Sequence, residues 1–234
     1  MVSAVVISFD DNAYLEMCLK HLSFASQIIV IGTLDSKVYG RLKKELDIDY
    51  IENKNDEIST LFEIARRDCK HDWILGLEAN MIVPTKLKSE IQSIVETQKT
   101  PKIFKAKTQF DFMGKSMKFS GFRTKWKPIL WSKKSKNIGT SQLNSKFTTL
   151  YLDFDSFSQR TTQIAKRKAF KLYSKKVKPN MIDFIWKPFW TLKKECVFNL
   201  CILDGKQGFI LAYLRAFMQL KTYLFLWLNY RNLE

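Results

Sequence analysis

The first hundred residues alternate between short apolar runs and longer segments with apolar side chains three and four residues apart. The runs with the length and composition of strands are Val2–Ser8, Gln27–Ile31, Asp49–Ile51 and Trp73–Leu77. The segments with helical spacing are Ala13–Leu22, Ser36–Leu46, Asp56–Arg67 and the residues that follow Pro84. This alternation predicts βαβ units, and therefore an α/β fold with a mostly parallel, Rossmann-like sheet and flanking helices.

Right-handed crossovers place the carboxyl ends of parallel strands at one edge of the sheet, where open α/β folds bind their ligands. Three polar turns are predicted to meet there: Asp10-Asp11-Asn12, Gly32-Thr33-Leu34-Asp35 and Glu78-Ala79-Asn80. The first strand is not followed by Gly-x-Gly-x-x-Gly, and the chain has no Walker-type lysine loop. The sequence therefore argues against a dinucleotide-dependent dehydrogenase and against a P-loop ATPase.

The second half of the chain predicts a hairpin, further strands and then helices. Lys102–Phe112 alternates like a half-exposed strand, and Gly114 provides a turn into Lys115–Phe119. Further strands are predicted at Trp126–Trp131 and Phe147–Phe154, a helix at Ser158–Tyr173, and amphipathic helices from Phe184 onward, with a helix–helix corner at Gly205 and Gly208. We therefore predict a domain over residues 1–155 and a basic, aromatic, helical extension over residues 156–234.

Charge is distributed unevenly along the chain, whose net charge is +16. Residues 1–100 contain 12 Lys and Arg and 16 Asp and Glu, a net charge of −4, whereas residues 101–234 contain 27 and 7, a net charge of +20. Such an asymmetry indicates a polyanionic partner: nucleic acid, anionic lipid or a phosphorylated substrate. The basic run over residues 166–178 is explained either as a solvated face or, with the aromatic residues downstream, as a contact with an anionic membrane.

Other features of the sequence rank the possible partners and predict where in the cell the protein works. No stacking motif or basic recognition helix is present, so nucleic acid ranks last among the partners. Met1–Ser8 has neither a basic n-region nor a cleavage site, and the four cysteines lack paired metal spacing, which predicts a cytoplasmic protein with reduced thiols. Charged residues interrupt the apolar windows near the C-terminus, so we expect no transmembrane span: Asp204, Lys206, Arg215 and Lys221.

Two segments carry a resemblance to a known family. Asp72–Asn80 reads DWILGLEAN, and Lys187–Trp190 with Leu203–Phe217 reads KPFW and LDGKQGFILAYLRAF. Together they resemble family 2 glycosyltransferases with the GT-A fold, and among these the sub-type that adds sugars to the lipopolysaccharide core. The resemblance implies a cytoplasmic enzyme, peripheral to the inner membrane, that moves a sugar from a nucleotide-sugar donor to a membrane-associated glycan in cell-envelope biosynthesis.

The resemblance also implies a divalent cation. Family members read DAD where this chain has Glu78-Ala79-Asn80, so the metal ligands by position are Glu78 and Asn80. Mg²⁺ and Mn²⁺ prefer oxygen ligands and act as Lewis acids on a leaving diphosphate. Asn80 offers a neutral carbonyl oxygen, so one negative charge of the motif is missing. Alternatively, the two residues only end a strand and form a turn.

The nucleotide-sugar site implied by the resemblance includes Glu78 and four residues of the other two turns. Asp10 and Asp11 occupy the turn that contacts the nucleotide base in the family, but such residues are also common in turns without ligands. Thr33 and Asp35 lie in the turn that contacts the base or ribose, and Asp35 is equally well explained as the N-cap of the following helix.

A proton acceptor is the part of the family pattern that the sequence does not supply. An inverting transfer needs a base for the acceptor hydroxyl, which in the resembled sub-type is a His-Glu pair. The corresponding region here, Ile138–Asn144, contains neither residue type, which leaves Asp111, Asp153 and Asp155 as candidates. The alternative hypothesis is a catalytically impaired GT-A module that binds nucleotide or glycan without turnover.

Overall fold

The computed structural model describes residues 1–9, 12–34, 36–53, 58–98, 100, 102–120, 126–134 and 139–233. The chain divides into two compact units. Unit 1 comprises Met1–Gln109 and Lys125–Leu150, and unit 2 comprises Phe110–Thr124 and Tyr151–Glu234. The predicted organisation into a domain over residues 1–155 and an extension over residues 156–234 stays a prediction.

The elements follow one another in the predicted order. They are β1 (Val2–Phe9), α1 (Asn12–Lys20), β2 (Gln27–Thr33), α2 (Ser36–Leu46), β3 (Asp49–Glu52), α3 (Ile58–Asp68), β4 (Trp73–Glu78), β5 (Met81–Ile82), α4 (Thr85–Thr97), β6 (Ile103–Phe112), β7 (Lys115–Met117), β8 (Trp126–Ser132), β9 (Thr140–Tyr151), α5 (Phe154–Ser174), α6 (Met181–Val197), a 3₁₀ turn (Cys201–Asp204) and α7 (Gly205–Arg231). The α/β class, with flanking helices and a helical C-terminal part, is thereby confirmed.

Unit 1 is built on a mixed sheet. Its strands follow the order β3-β2-β1-β4-β8-β6-β9-β5. The first four are parallel, as the βαβ pattern predicts, whereas β8 joins β4 in the antiparallel sense. The main differences from the prediction are three: β9 is Thr140–Tyr151 rather than Phe147–Phe154, α5 begins at Phe154 rather than at Ser158, and the short strand β5 was not predicted.

The apolar runs of the parallel strands are explained by cover on both faces of the sheet. In β1, Val6 packs in a core with α1, α2 and α4, whereas Val5 and Ile7 pack in a second core with α3. Parallel strands covered on both faces are expected to be apolar throughout, without alternation of apolar and polar residues. The helices thus leave the ends of the strands as the accessible part of the sheet.

Unit 2 has its own apolar interior. One cluster joins the β6–β7 hairpin to α5 and α7, and its buried members are Phe110, Phe112, Met117, Phe157 and Leu211. A second joins α5 to the C-terminal part of α7 through Ala169, Tyr223 and Leu226. Helix α5 begins at an N-cap, Asp153, and α6 begins with a capping box formed by Asn180 and Asp183.

The last helix is long and largely apolar. Cys201–Arg231 is long and apolar enough to span a membrane by length and composition. An 18-residue segment within it has a mean hydropathy of 1.2, and 33% of that segment is buried. One side of α7 packs within unit 2 through Leu211, Ala212, Ala216 and Leu226. The opposite side is exposed, so the helix is packed on one side only.

Candidate functional site at the carboxyl edge of the parallel strands

The ends of three parallel strands lie at one edge of unit 1. Thr33, the last residue of β2, is in register with Phe9 at the end of β1. Glu78, the last residue of β4, is in register with Ile7, and the Ala79 N–H donates to the Ile7 carbonyl at 2.9 Å. Strands two apart in a sheet are about 10 Å from each other. The structure therefore brings Thr33 and Glu78 to the same edge.

The turn after β2 is held by a tyrosine and a glycine. The Tyr50 hydroxyl donates to the Gly32 carbonyl at 3.0 Å and accepts from the Leu34 N–H at 3.1 Å. Gly32 has φ of 137°, and a Cβ there would lie 1.9 Å from the carbonyl oxygen of Ser8. Only glycine fits this conformation and this close approach. The position of Thr33 beside the end of β1 thus depends on Gly32.

The carboxylate of Glu78 is paired with a lysine of β8. Lys127 Nζ lies 3.2 Å from Glu78 Oε1. The Glu78 side chain is 18% exposed and that of Lys127 is 43% exposed, so the lysine is the more accessible partner of the pair. Lys127 is not predictable as a site residue from the sequence, because the pattern predicts β8 without its partner strand. Lys127 thus presents an accessible ammonium at the edge where a ligand would bind.

Asn80 lies in the turn between β4 and β5. The residue is buried, and its main-chain carbonyl accepts from the Leu150 N–H at 2.9 Å. That bond continues the pairing of β5 with β9, which joins Met81 to Thr149. The main chain of Asn80 therefore has a structural role, since it links the end of β4 to β9.

The described residues fit a divalent cation poorly. Among them, no group of three or more His, Cys, Asp or Glu side chains could hold a metal ion. Glu78 is already paired with Lys127, and a cation bound to the same carboxylate would lie within a few ångströms of the ammonium, which is an unfavourable arrangement. The metal site at Glu78 and Asn80 stays a prediction.

Three predicted nucleotide-sugar residues, Asp10, Asp11 and Asp35, lie outside the described residues. The three predicted proton acceptors, Asp111, Asp153 and Asp155, belong to unit 2. Both carboxylate oxygens of Asp153 bind Ser156 in the N-cap of α5, at 2.7 Å to its N–H and 3.0 Å to its hydroxyl. Asp155 is exposed in the first turn of the same helix, and Asp111 is half-buried in β6.

At the end of the segment Ile138–Asn144, where the family has its His-Glu pair, the backbone binds a carboxylate from another element. Glu90 of α4 accepts from the Asn144 N–H at 2.7 Å and from the Ser145 N–H at 2.9 Å. Partial burial raises the pKa of Glu90, but these hydrogen bonds outweigh it and hold the pKa below the ordinary value of 4.5. Glu90 is therefore ionised at neutral pH and fastens β9 to α4.

Three of the four thiols are poor candidates for a nucleophile. Burial raises the pKa of Cys18 to about 12 and that of Cys69 to about 11. The Cys201 thiol, buried beside Cys196 at an Sγ–Sγ distance of 3.3 Å, also has a pKa of about 12, mainly because of burial. All four cysteines are free, and the thiolate form that reacts is disfavoured at the three buried ones.

No family model matches the chain. Among solved structures, it is similar to S. aureus TarS 1-349, at 11% identity over 100% of this chain and 92% of that chain, with a TM-score of 0.47. It is also similar to the mannosyltransferase PcManGT from Pyrobaculum calidifontis in complex with GDP-Man and Mn2+, at 9% identity over 100% and 88%, with a TM-score of 0.47.

A nucleotidyl transferase from Methanothermobacter thermautotroptrophicus is similar over a smaller part, with 14% identity and a TM-score of 0.33 over 47% of this chain. The chain spans 61% of that protein. These identities and TM-scores do not assign an activity to the chain.

Proposed function

We propose that the chain is a glycosyltransferase with the GT-A fold, of family 2, which transfers a sugar from a nucleotide-sugar donor to a membrane-associated glycan such as the lipopolysaccharide core. The observation that carries the proposal is the convergence of Thr33, Glu78 and Lys127 at the carboxyl edge of the parallel strands. Ligands of open α/β sheets bind beyond this edge. Asp10, Asp11 and Asp35 follow the same strands in the sequence and are proposed to contact the nucleoside.

In this proposal, Lys127 binds the diphosphate of the donor. Its side chain is 43% exposed, and a charge-assisted hydrogen bond to phosphate is among the stronger polar interactions. As the sugar departs, negative charge develops on the diphosphate, and a fixed cation stabilises that charge. Glu78 is a positioning residue that holds Lys127 at the edge. No step of the proposal passes through a metal ion.

The acceptor is proposed to bind on the basic side of the chain. Residues 101–234 carry a net charge of +20, which suits an acceptor or membrane that bears phosphate groups. Because both oxygens of Asp153 are engaged in the N-cap of α5, Asp111 and Asp155 are the preferred candidates for the proton acceptor. The protein would then work in the cytoplasm, at the inner face of the membrane.

The second candidate function is a GT-A module that binds a nucleotide or a glycan without turnover. It is favoured by the position of Asn80, whose burial in the β4–β5 turn weakens the family's metal motif. It differs from the first candidate in one measurable property, since it predicts binding of a nucleoside diphosphate but no consumption of a nucleotide sugar.

The test is a panel of nucleotide sugars, with release of nucleoside diphosphate as the activity readout and calorimetry as the binding readout. We expect both turnover and binding, with turnover lost in Glu78→Ala and retained in Glu45→Ala, a control at an exposed glutamate of α2. Binding without turnover would favour the second candidate. The absence of binding by any nucleotide sugar would contradict both.

A further inference from the structure

Helix α6 has one side that is exposed along its whole length, although many of the residues on that side are large and apolar. Among its residues Met181–Val197, none is buried. Four side chains at helical spacing are more than half exposed and form what we call the α6 apolar face: Ile182 at 66%, Ile185 at 76%, Trp186 at 55% and Phe189 at 55%. Residues at i, i+3, i+4 and i+7 lie on one side of a helix, so the face is continuous.

Further exposed apolar side chains follow α6 in the same unit. Phe198 is 68% exposed, and in the 3₁₀ turn Ile202 and Leu203 are 66% and 62% exposed. At the start of α7, Phe209 is 51% exposed. Large exposed apolar surfaces are rare in proteins without a partner and mark contacts with proteins, ligands or membranes.

The charges of this part of the chain favour an anionic partner. Residues 156–233 contain fifteen Lys and Arg but three Asp and Glu. All three acids are bound internally: Asp183 in the capping box of α6, Glu195 to Arg215 at 2.8 Å, and Asp204 to the backbone of residues 118 and 119. The exposed charges are therefore positive, and they include Lys193 and Lys194 in the last turns of α6.

Aromatic and lysine side chains also lie together on α6. Trp186 and Trp190 are stacked, with ring centroids 6.4 Å apart, and Lys193 Nζ lies 5.8 Å from the centroid of the Trp190 ring. Tryptophan beside lysine suits the interface of a bilayer, because the ring enters the headgroup layer while the ammonium meets the lipid phosphates.

We infer that the α6 apolar face is a membrane-docking surface, which inserts into the headgroup layer of an anionic bilayer with α6 parallel to the membrane plane. A second copy of this chain is a poorer occupant, because it would bring two surfaces of like charge together. The inference deepens the proposed function, since it names the surface that holds the enzyme at a membrane-associated acceptor, but it depends on α6 alone and not on the site at Glu78.

The experiment is co-sedimentation of the full chain with vesicles of phosphatidylcholine alone and with vesicles that contain an equal part of phosphatidylglycerol. We expect binding to the anionic vesicles, with a blue shift of tryptophan fluorescence, and little binding to the neutral ones. The double variant Trp186→Ser with Phe189→Ser should bind the anionic vesicles about tenfold or more weakly, because two apolar side chains no longer leave water.

A matched control is available in the same unit. Leu152 and Phe154 are 52% and 50% exposed, close to the 55% of Trp186 and Phe189, but they flank the acidic residues Asp153 and Asp155. The double variant Leu152→Ser with Phe154→Ser should bind anionic vesicles as the unaltered chain does. All four side chains are exposed, so both double variants are expected to fold.

The positive charge is tested separately. Lys193→Glu combined with Lys194→Glu leaves the α6 apolar face intact and should lower binding to anionic vesicles by about tenfold or more, at roughly 1 kcal/mol for each lysine near a membrane surface. The choice of an anionic lipid would be overturned if this variant bound anionic and neutral vesicles equally, and as strongly as the unaltered chain binds the anionic ones.

Three outcomes overturn the inference: no vesicle binding by the unaltered chain, unchanged binding by the Trp186 and Phe189 variant, or a stable dimer in light scattering that this variant converts to monomers. In each case, retained binding of a nucleoside diphosphate would leave the proposed function standing. Conversely, vesicle binding that is lost in the variant supports the docking surface even where no nucleotide sugar binds, and only the proposed function then fails.

Discussion

Lys127 Nζ lies 3.2 Å from Glu78 Oε1, so the acid that ends β4 is bound by a cation from the neighbouring antiparallel strand. The register of the two strands explains the contact. Leu75 is in register with Leu130, and Glu78 and Lys127 are each three residues further along their strands toward the edge. Pro128, which has no N–H to donate, lies just beyond the last paired residues. The chain thus carries its own positive charge at the edge where the family resemblance places a metal ion.

Replacing Lys127 by methionine should weaken the binding of a nucleoside diphosphate about tenfold or more, since a hydrogen bond to a charged group contributes roughly 1.5–3 kcal/mol. Calorimetry of the variant checks this. Lys44→Met, at an exposed lysine of α2, is the control. The stability of Lys127→Met should change by no more than about 1 kcal/mol, because the pair is partly exposed and screened by solvent. An unchanged affinity would remove Lys127 from the site.

Chelation separates the lysine from the predicted metal. With Lys127 in place, EDTA should leave the affinity for a nucleoside diphosphate unchanged, because the ammonium already neutralises part of the phosphate charge. In Lys127→Met the Glu78 carboxylate is released, and Mn²⁺ should then restore part of the lost affinity. Loss of binding by the unaltered chain in EDTA would instead support the metal site at Glu78 and Asn80.

The parallel strands were predictable because a strand with both faces covered is apolar at every position, and this pattern is local. Contacts between distant parts of the chain were not. Lys127 could be assigned to Glu78 only when β8 was seen beside β4. In the first half of β9, Leu143 is the one buried residue. The sequence of Thr140–Lys146 therefore shows no alternation of apolar and polar residues, and the start of the strand was not predicted.

Asp204 is a charged residue whose contacts with a distant part of the chain could not be predicted from the sequence either. In the sequence it interrupts an apolar stretch and looks like a surface charge. In the structure it is buried and accepts from the N–H groups of Lys118 and Phe119 and from the Ser120 hydroxyl, at 2.8–3.0 Å. The residues around Asp204 in the sequence do not predict that its carboxylate is a buried acceptor, because the hydrogen-bond donors come from a hairpin far away in the sequence.

Asp204→Ala should therefore destabilise the protein, since two N–H groups lose their acceptor at about 1–3 kcal/mol each. Denaturant unfolding measures the effect. Asp155→Ala, which removes an exposed carboxylate, should change the free energy of unfolding by less than about 1 kcal/mol. Similar stabilities of the two variants would contradict the role of Asp204.

Gly76 lies in the middle of the DWILGLEAN segment, and its missing side chain makes room for two aromatic rings. A Cβ there would lie 2.2 Å from the Trp131 ring and 2.7 Å from the Phe62 ring. Gly76→Ala should lower the free energy of unfolding by about 1–3 kcal/mol through overpacking. Gly40→Ala is the matched control. Apart from the neighbouring backbone of its own helix, no atom of the described residues lies within 4 Å of the new Cβ, so alanine in helix α2 should raise stability by about 0.5–1 kcal/mol.

The hydrogen bonds to Glu90 predict a pH dependence of stability. Its pKa in the folded state lies below the ordinary value of 4.5, so the folded state favours the ionised form. The contribution of Glu90 is therefore fully present above about pH 4.5 and is lost as the pH falls through the lower, folded-state pKa. At about pH 6 to 7, roughly two units above the ordinary pKa of Glu90, the unaltered chain and Glu90→Gln should have different melting temperatures. The two melting temperatures should converge in acid. Glu96→Gln, at an exposed glutamate of the same helix, should follow the unaltered chain at every pH, and a constant difference between Glu90→Gln and the unaltered chain would contradict the prediction.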